Sequence, residues 1–387
     1  MSNDNNLPAF EQVVSELFRS ELENAINDIL KSELTVFLDY EKYDRSENSN
    51  SRNGYYNRDY NTKYGVLNLR IPRDRQGDFD SPLVPKYQRN DLATTNTVID
   101  LFNSGMTYSD IVKTVESIYG KKYSRQTVSN ITKEIVAHVE AFKNRPLNKQ
   151  YAVVYTDATV IPLRRDTVSK EAVHIAIGVT LEGTKEILGY SIAPTESATT
   201  WRELFEEFKK RGMEEVALFC TDGLTGVENA IEDTFPMAKI QRCLVHVSRN
   251  IVAKARVKER SEIAQDFKRV YNCETEKAAS EALKEFTSKW GKKYPKVAKS
   301  LEENSNLFTF YLFPESVRKS IYTTNLIEGF NKQLKRKIKA KEQFPNEEAA
   351  EKYIVSQFEQ YNQKFMNHTH KGFKGISYER WFLLGDK

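Results

Sequence analysis

The fold class of this chain is decided by three consecutive stretches: AVVYTDATVIPL (152–163), AVHIAIGVTL (172–181) and EILGYSIA (186–193). Each is an apolar run of strand length, so the sequence predicts three strands in succession. Strands and helices then alternate: SATTWRELFEEFKKRG (197–212) as a helix, EVALFCTDG (215–223) as a strand, VENAIEDTF (227–235) as a helix and KIQRCLVH (239–246) as a strand. The order β-β-β-α-β-α-β predicts an α/β fold with a mixed five-stranded sheet flanked by helices.

Length and composition exclude several classes of protein. The chain has 387 residues, with 58 Lys plus Arg against 54 Asp plus Glu, a formal net charge of +4. That length suits two or three domains with cores of their own. We expect neither a membrane span nor a signal peptide, because no apolar run of about 18 residues occurs and the start lacks a basic segment followed by an apolar one. Three cysteines are too few for a disulfide scaffold, which favours a reducing cytosol.

Positive charge is concentrated in separate segments. Residues 51–90 carry a net charge of +4, residues 119–133 carry four cations and no acid, residues 247–300 carry a net +7, and residues 332–341 carry six cations and no acid. One such segment is ordinarily a solvated helix face. Four of them together favour a polyanion that the chain contacts at several places.

The region before the sheet contains candidate DNA-binding elements. Residues 8–40 have the apolar spacing of an amphipathic helix, suited to packing within the chain or against a second copy, and residues 44–62 have a polar, loop-like composition. Residues 63–75 predict a short strand or ribbon ending at Pro72, with Arg70, Arg73 and Arg75 as DNA contacts.

Residues 94–143 have the pattern of a helix-turn-helix. Gly105 suits the end of its first helix, and Thr107 with Asp110 suits a capping box at the start of the second. The third helix offers residue types that contact bases and phosphates in a major groove: Arg125, Gln126, Thr127, Ser129, Asn130 and Lys133. An ordinary three-helix bundle is the alternative.

Carboxylates are the candidate chemical groups of the sheet. Asp157 and Asp222 each stand at or near the end of an apolar strand, so neighbouring strands would bring both into one crevice, where a divalent cation such as Mg²⁺ would relieve their repulsion. The Asp222-Gly223 pair is also a common turn. Glu328 is the candidate third ligand, on a helix whose other face is apolar; an ion pair with Lys332, four residues on, is the competing interpretation.

The sequence resembles the bacterial Mutator-type insertion-sequence transposases, DDE enzymes with an RNase H-like core, from about residue 50 to 365. The matching segments are GVLNLRIPRDRQGDF (65–79), Thr156-Asp157-Ala158, CTDGL (220–224), QRCLVH (241–246) followed by Arg249-Asn250, and TTNLIEGFN (323–331). The resemblance implies that Asp157, Asp222 and Glu328 are a catalytic triad holding two Mg²⁺ ions, with Mn²⁺ as a substitute. The 105 residues between Asp222 and Glu328 imply an all-α insertion at about 247–320.

The resemblance also suggests roles for residues around the triad. Cys243 and His246 form its Cys-x-x-His signature, which we interpret as structural or as lining of the active site, with His246 near the scissile phosphate. Trp290 is a candidate for stacking on a base at the cleaved end, with core packing as the alternative. The remaining expected DNA contacts are Arg242, Arg249, Lys332, Lys335, Arg336 and Lys339.

These features together predict a DNA transposase that binds terminal inverted repeats and target DNA as a homodimer in the bacterial cytoplasm. Water attacks first and frees a 3′-hydroxyl, which then joins the strand to a second phosphodiester. The expected domains are an N-terminal helix (1–45), a basic ribbon (46–93), a helix-turn-helix (94–146), the first part of the core (147–246), a helical insertion (247–320) and C-terminal core helices (321–387). A repressor with an inactive core and an RNase H-like nuclease are the alternatives.

Overall fold

A computed structural model describes residues 7–38, 50–62, 65–84, 86, 92–119, 124–165, 167–194, 197–223, 226–339, 341 and 343–382. The chain divides into two compact units, residues 1–134 and 135–387. None of the helices in these ranges combines the length and the apolar character needed to cross a bilayer.

The first unit combines helices with a two-stranded antiparallel sheet. Its elements are α1 (Leu7–Leu38), β1 (Arg52–Thr62), β2 (Gly65–Asp74), α2 (Leu92–Asn103), α3 (Tyr108–Tyr119) and the first half of α4 (Arg125–Asn144). Gly105 lies two residues after the end of α2 and has a φ of +103°, as its predicted place at the helix end requires. At the start of α3, the Thr107 hydroxyl accepts a hydrogen bond from the Asp110 backbone N–H, as predicted for a capping residue.

The prediction of a loop at residues 44–62 is wrong for residues 52–62, which form β1. The strand predicted to end at Pro72 continues two residues further, to Asp74. The physical reason is pairing between strands, because Tyr60 of β1 lies opposite Leu67 of β2 and both are buried in a small apolar cluster with Leu30 of α1. A polar strand can therefore be held by an apolar partner strand, which local composition does not reveal.

The second unit contains the predicted mixed sheet. Its strands are β3 (Gln150–Arg164), β4 (Val168–Val179), β5 (Lys185–Ala193), β6 (Glu215–Thr221) and β7 (Lys239–Arg242), with α5 (Ala198–Lys210) and α6 (Val227–Thr234) between the later strands. The spatial order is β5-β4-β3-β6-β7. The first three strands are antiparallel neighbours, whereas β6 and β7 run parallel to β3. The predicted order of strands and helices is confirmed.

Helices pack on both faces of this sheet. One face is buried with α5 and α6 in an aromatic core that includes Trp201, Phe205 and Phe219. The opposite face packs against helices that follow β7, and there the Tyr155 hydroxyl donates to the Ser320 carbonyl oxygen at 3.0 Å. Alternation of side chains along β3 therefore sends Val154 to one core and Tyr155 to the other.

The predicted helical segment after β7 is also observed. It consists of α7 (Leu244–Lys254), α8 (Arg260–Tyr271), α9 (Glu276–Trp290), α10 (Pro295–Glu302) and α11 (Glu315–Ile321). The helices that return to the sheet are α12 (Asn325–Lys339), α13 (Glu347–Phe365) and the short α14 (Tyr378–Trp381). The apolar stripe of α12 predicted from the sequence is buried: Ile327, Phe330, Leu334 and Ile338.

Candidate active site

Two aspartates lie at the same level on neighbouring parallel strands. β3 and β6 are in register at Tyr155 with Cys220 and at Thr156 with Thr221, and each aspartate, Asp157 or Asp222, follows that last pair directly. Neighbouring strands are about 4.8 Å apart, and residues paired in parallel strands project to the same face. The two aspartates therefore stand side by side, on the face covered by α12 and α13. Asp222 directly follows the end of β6, as expected. The expectation that Asp157 stands at or near a strand end is wrong, because β3 continues to Arg164 through its pairing with β4.

The Asp157 carboxylate is held by two hydrogen bonds. Its Oδ2 accepts from Nδ2 of Asn331 at 2.8 Å, and its Oδ1 accepts from the backbone N–H of Ala158 at 2.8 Å. Burial raises the pKa of Asp157, these hydrogen bonds oppose the rise, and the negative charge of Glu328 adds to it. Asp157 and Glu328 are thus close enough for their charges to interact, although their residues are far apart in sequence.

Glu328 enters the site from the first turn of α12. Its Oε2 accepts from Nη1 of Arg249 at 2.9 Å, and its Oε1 accepts from the Thr324 hydroxyl at 3.3 Å. Within the described residues its ion pairs are with Arg249 and, when the imidazole is protonated, with Nδ1 of His246 at 3.7 Å, not with Lys332 as the competing interpretation proposed. The contacts of Glu328 therefore come from the elements that line the site.

Cys243 and His246 connect the start of α7 to the start of α12. The buried Cys243 sulfur accepts from the Thr324 backbone N–H at 3.3 Å, and Nδ1 of His246 lies 3.3 Å from the Thr324 hydroxyl oxygen. Burial opposes ionisation of Cys243, but hydrogen bonds with His246 and Thr324 outweigh it and lower the pKa of the thiol. The pKa of His246 is raised, chiefly by its hydrogen bond with Cys243 and further by the charges of Glu328 and Asp222.

One ligand atom from each of Cys243, His246 and Glu328 lies within 4.8 Å of the other two. A structural zinc site takes four ligands, and this group offers three. The contacts of Cys243 and His246 with Thr324 also hold the first turn of α12 against the start of α7.

The donor set around Asp157 suits a hard divalent cation. Asp157 and Asp222 directly follow a matched pair of residues on neighbouring strands, and the charges of Glu328 and Asp157 repel each other. Beside them, the buried Oδ1 of Asn331 has no hydrogen-bond partner among the described residues. Mg²⁺ takes oxygen ligands and keeps several water molecules, so the ion would relieve the repulsion and its waters would satisfy that orphaned oxygen.

Sequence reasoning missed two residues that build this site, Asn331 and Thr324. Both are nearly inaccessible polar residues, and Asn331 falls on the apolar stripe of α12 four residues after Ile327. A polar side chain on an otherwise apolar helical stripe is the signal that would have identified it.

The expected DNA-contacting residues of the second unit fall into two groups. Arg242 and Arg249 are already engaged, since Arg242 makes a bidentate pair with Glu228 at 2.6 and 3.0 Å and Arg249 pairs with Glu328. Exposed cations along α12, hereafter the α12 cation row, are Lys332, Lys335, Arg336 and Lys339.

Trp290 lies in the core of the helical segment. Only 6% of the residue is exposed, its Nε1 donates to Asp266 at 2.9 Å, and Tyr294 and Lys289 lie near its ring. The indole is therefore packed in this conformation, as in the alternative interpretation, and its faces are not open to a base.

The first unit presents several of its expected DNA contacts to solvent. Arg70, Arg73 and Arg75 of the β2 region are exposed, and the Arg70 guanidinium lies 5.1 Å from the centre of the Tyr55 ring. At the start of α4, Arg125 and Gln126 are exposed and Ser129 is half-buried. The side chains of three further predicted contacts lie outside the described residues: Thr127, Asn130 and Lys133.

Comparison with known proteins gives one consistent answer. A sequence model of the family described as "Transposase, Mutator family" matches residues 3–368. The chain is 46% identical over 370 residues, 95% of both chains, to the transposase for insertion sequence element IS905 of Lactococcus lactis. It is 43% identical over 344 residues to the IS1201 transposase of Lactobacillus helveticus, covering 88% of this chain and 93% of that one. It is 31% identical over 347 residues to the transposase for IS256 in transposon Tn4001 of Staphylococcus aureus, covering 88% and 89%.

Proposed function

This chain belongs to the Mutator family of transposases, and from that membership we propose that it cleaves and joins DNA strands at the terminal inverted repeats of an insertion sequence. Asp157, Asp222 and Glu328 would form the metal-binding triad of a DDE mechanism. The observation that carries this proposal is that Asp157 and Asp222 each directly follow the last paired residues of β3 and β6, on the face where the charge of Glu328 acts on Asp157.

An RNase H-like core is the fold assignment that accompanies this proposal. The support is a mixed sheet of three antiparallel strands followed by two parallel ones, in the order β5-β4-β3-β6-β7. The central strand β3 carries Asp157, and the long helical segment separates Asp222 from Glu328. Both features match the expectation from the sequence resemblance.

The reaction is two in-line displacements at phosphorus. Water attacks the phosphodiester at the element's end, and the broken P–O bond releases a 3′-hydroxyl. That hydroxyl attacks a second phosphodiester, so one P–O bond forms as another breaks and no covalent protein intermediate arises. Two Mg²⁺ ions, with Mn²⁺ as a substitute, would supply Lewis-acid activation of the nucleophile and charge stabilisation of the leaving oxygen when bound.

The residues of the chain supply position and charge. Asp157, Asp222 and Glu328 would hold the ions, and Asn331 fixes the orientation of the Asp157 carboxylate. His246 carries a raised pKa at the edge of the triad, which suits it to face a phosphate. Arg249 must share or release Glu328 when an ion binds, because it contacts the same carboxylate.

DNA would be held by separate positive surfaces of the two units. In the first unit we assign this role to the exposed arginines of β2 and to the helix-turn-helix formed by α2, α3 and the start of α4. In the second unit the α12 cation row would contact backbone phosphates next to the triad. A homodimer is expected because two element ends must be brought together.

A labelled duplex carrying the element's terminal repeat tests the proposal. Wild-type protein, Glu328→Gln and the control Glu281→Gln, which changes an exposed carboxylate of α9, are each incubated with Mg²⁺ and the products resolved. We expect wild type and the control to nick at the repeat boundary, and Glu328→Gln to bind equally without cutting.

Other outcomes would replace the proposal with a specific alternative. Binding without cutting by all three proteins, in Mg²⁺ and in Mn²⁺, would favour a repressor. Cutting without preference for the repeat, or of an RNA–DNA hybrid, would favour a nuclease. Cutting by Glu328→Gln at the wild-type rate would remove Glu328 from the triad.

A further inference from the structure

A second cationic feature lies on the far side of α12 from Glu328. We propose that a pocket between α12 and α13, hereafter the lysine pocket, is a binding site for phosphate groups. It has a volume of about 590 Å³, and the residues that define it here are Lys185, Lys319, Lys337, Lys364, Phe365 and His370. The site is separate from the carboxylate triad, since Gly329, Gln333 and Lys337 line it from the helical face opposite Glu328.

The charge of the lysine pocket is one-sided. Four lysines line it, and none of the described residues in its wall is Asp or Glu. Lys185 and Lys364 lie over the same aromatic ring, with their Nζ atoms 4.0 and 5.4 Å from the centre of Phe365. Like charges gathered in a concave surface repel, and a bound anion is the group that would offset this repulsion.

The titration behaviour of the wall agrees with that geometry. Burial lowers the pKa of Lys185, and the nearby positive charge of Lys364 lowers it further. Burial together with the charge of Lys185 lowers the pKa of His370 to about 4, and burial lowers the pKa of Lys337. Lys185 and Lys337 are therefore partly removed from water, with no Asp or Glu in the described wall to compensate them, whereas His370 is neutral near pH 7.

The neutral wall of the lysine pocket suits a phosphate-bearing ligand. Gln333 and Gln360 offer side-chain amide donors, and the start of α12 at Asn325 adds the partial positive charge of a helix N-terminus. The Lys337 ammonium already donates to the neutral Gln357 oxygen at 2.5 Å, which holds it at the wall. A volume near 590 Å³ exceeds that of a single phosphate and falls within the ordinary range of ligand pockets.

Two sources share this chemistry: the phosphodiester backbone of DNA, and a free phosphate compound such as pyrophosphate or a nucleotide. Binding of a DNA backbone rests on the proposed function, because the DNA bound near the triad would then also contact the face of α12 opposite Glu328. The free-compound source is independent of that function.

Calorimetric titration of the full chain without divalent metal tests the inference. The probes are pyrophosphate, ATP and a 5′-phosphorylated tetranucleotide. The variants are the double variant Lys185→Ala/Lys364→Ala and the control Lys284→Ala, which changes an exposed lysine of α9. We expect at least one probe to bind wild type and the control, and to bind the double variant about tenfold or more weakly.

The outcome for each probe has a defined meaning. Tightest binding of the tetranucleotide identifies DNA as the source, and tightest binding of pyrophosphate or ATP identifies a free compound; each supports the site. No binding of any probe at millimolar concentration, or equal binding by the double variant, would overturn it.

Two further measurements separate this result from folding defects and from failure of the proposed function. Removing two mutually repelling cations should leave the melting temperature of the double variant at or above that of wild type. Glu328→Gln should retain wild-type probe affinity, because Glu328 lies on the other face of α12. A pocket that binds in a protein that never cuts DNA would leave this inference standing while the proposed function falls.

Discussion

The side-chain amide of Asn331 on α12 donates a 2.8 Å hydrogen bond to Oδ2 of Asp157 on β3, across 174 positions of sequence. The amide is buried, and its own Oδ1 has no partner among the described residues. This contact joins the helix that carries Glu328 to the strand that carries Asp157. The spacing of the proposed triad therefore depends on a residue outside it.

Replacing Asn331 with Leu keeps the number and branching of the side-chain heavy atoms and removes the donor. We expect the Mg²⁺-dependent cleavage rate to fall about 10- to 100-fold, because residues that orient metal ligands typically have effects of this size. The measurement is cleavage rate against Mg²⁺ concentration, with the exposed Gln363→Leu as the control. An unchanged rate and Mg²⁺ dependence in a folded variant would show that Asn331 only fills space.

Removing the Arg249 guanidinium should make Glu328 easier for a cation to bind. The pair is partly exposed, with 55% of the arginine and 22% of the glutamate side chain accessible, so its contribution is modest. We expect Arg249→Ala to lower the Mg²⁺ concentration for half-maximal cleavage roughly two- to threefold at saturating DNA. Arg256→Ala serves as the neighbouring control. A higher Mg²⁺ requirement would instead make Arg249 part of the metal-binding arrangement.

The α12 cation row should be visible in the salt dependence of DNA binding. Each cation that contacts a backbone phosphate contributes about 0.9 to the slope of log affinity against log salt concentration. We therefore expect Lys332→Ala, Lys335→Ala and Lys339→Ala each to reduce the slope by about 0.9. Binding assays from 50 to about 200 mM salt measure this. If the control Lys284→Ala on α9 reduces the slope by the same amount, the reduction reflects the lower net charge of the protein and not phosphate contacts of the α12 cation row.

Trp290 should matter for stability more than for DNA. Trp290→Phe keeps an aromatic ring in the core but loses the hydrogen bond to Asp266, so the free energy of unfolding should fall by about 1–2 kcal/mol. Cleavage rate and DNA affinity should be unchanged at a temperature where the variant is folded. Lost cleavage with unchanged stability would restore the expectation that this indole stacks on a base.

We predict that the buried Glu171 carboxylate contributes to the stability of the fold in a pH-dependent way. Its side chain is 2% exposed and accepts two hydrogen bonds from Arg165, which lower its pKa below the ordinary value of 4.5. A lowered folded-state pKa gives stability that is present above about pH 4.5 and is lost as pH falls through the folded value. Wild type should therefore exceed Glu171→Gln in unfolding free energy at pH 7.

That difference should shrink towards pH 3, as measured by denaturant unfolding at both pH values. Glu182→Gln, which changes an exposed carboxylate, should show no such trend. A difference between wild type and Glu171→Gln that is constant with pH would mean that the carboxylate charge contributes nothing.

Much of the fold could be predicted because strands and helices leave local periodic signals. The five strands of the sheet, their alternation with helices and the apolar stripe of α12 all follow from spacings of two, three or four residues. β1 could not be predicted in this way, since its polar sequence is held by pairing with β2. Of the site, the two aspartates were recognisable from the apolar runs that precede them, and Asn331 left a signal as a polar residue on the apolar stripe of α12, whereas Thr324 left none.

By itself, the sequence determined most of the helices and strands and which face of each is apolar, because backbone geometry fixes those faces within a few residues. Only the tertiary structure decided which polar groups meet. Glu328 pairs with Arg249, 79 positions away, instead of Lys332 four positions on, and Asp157 meets Asn331. Such contacts depend on how distant elements pack on the sheet, and no local pattern encodes that packing.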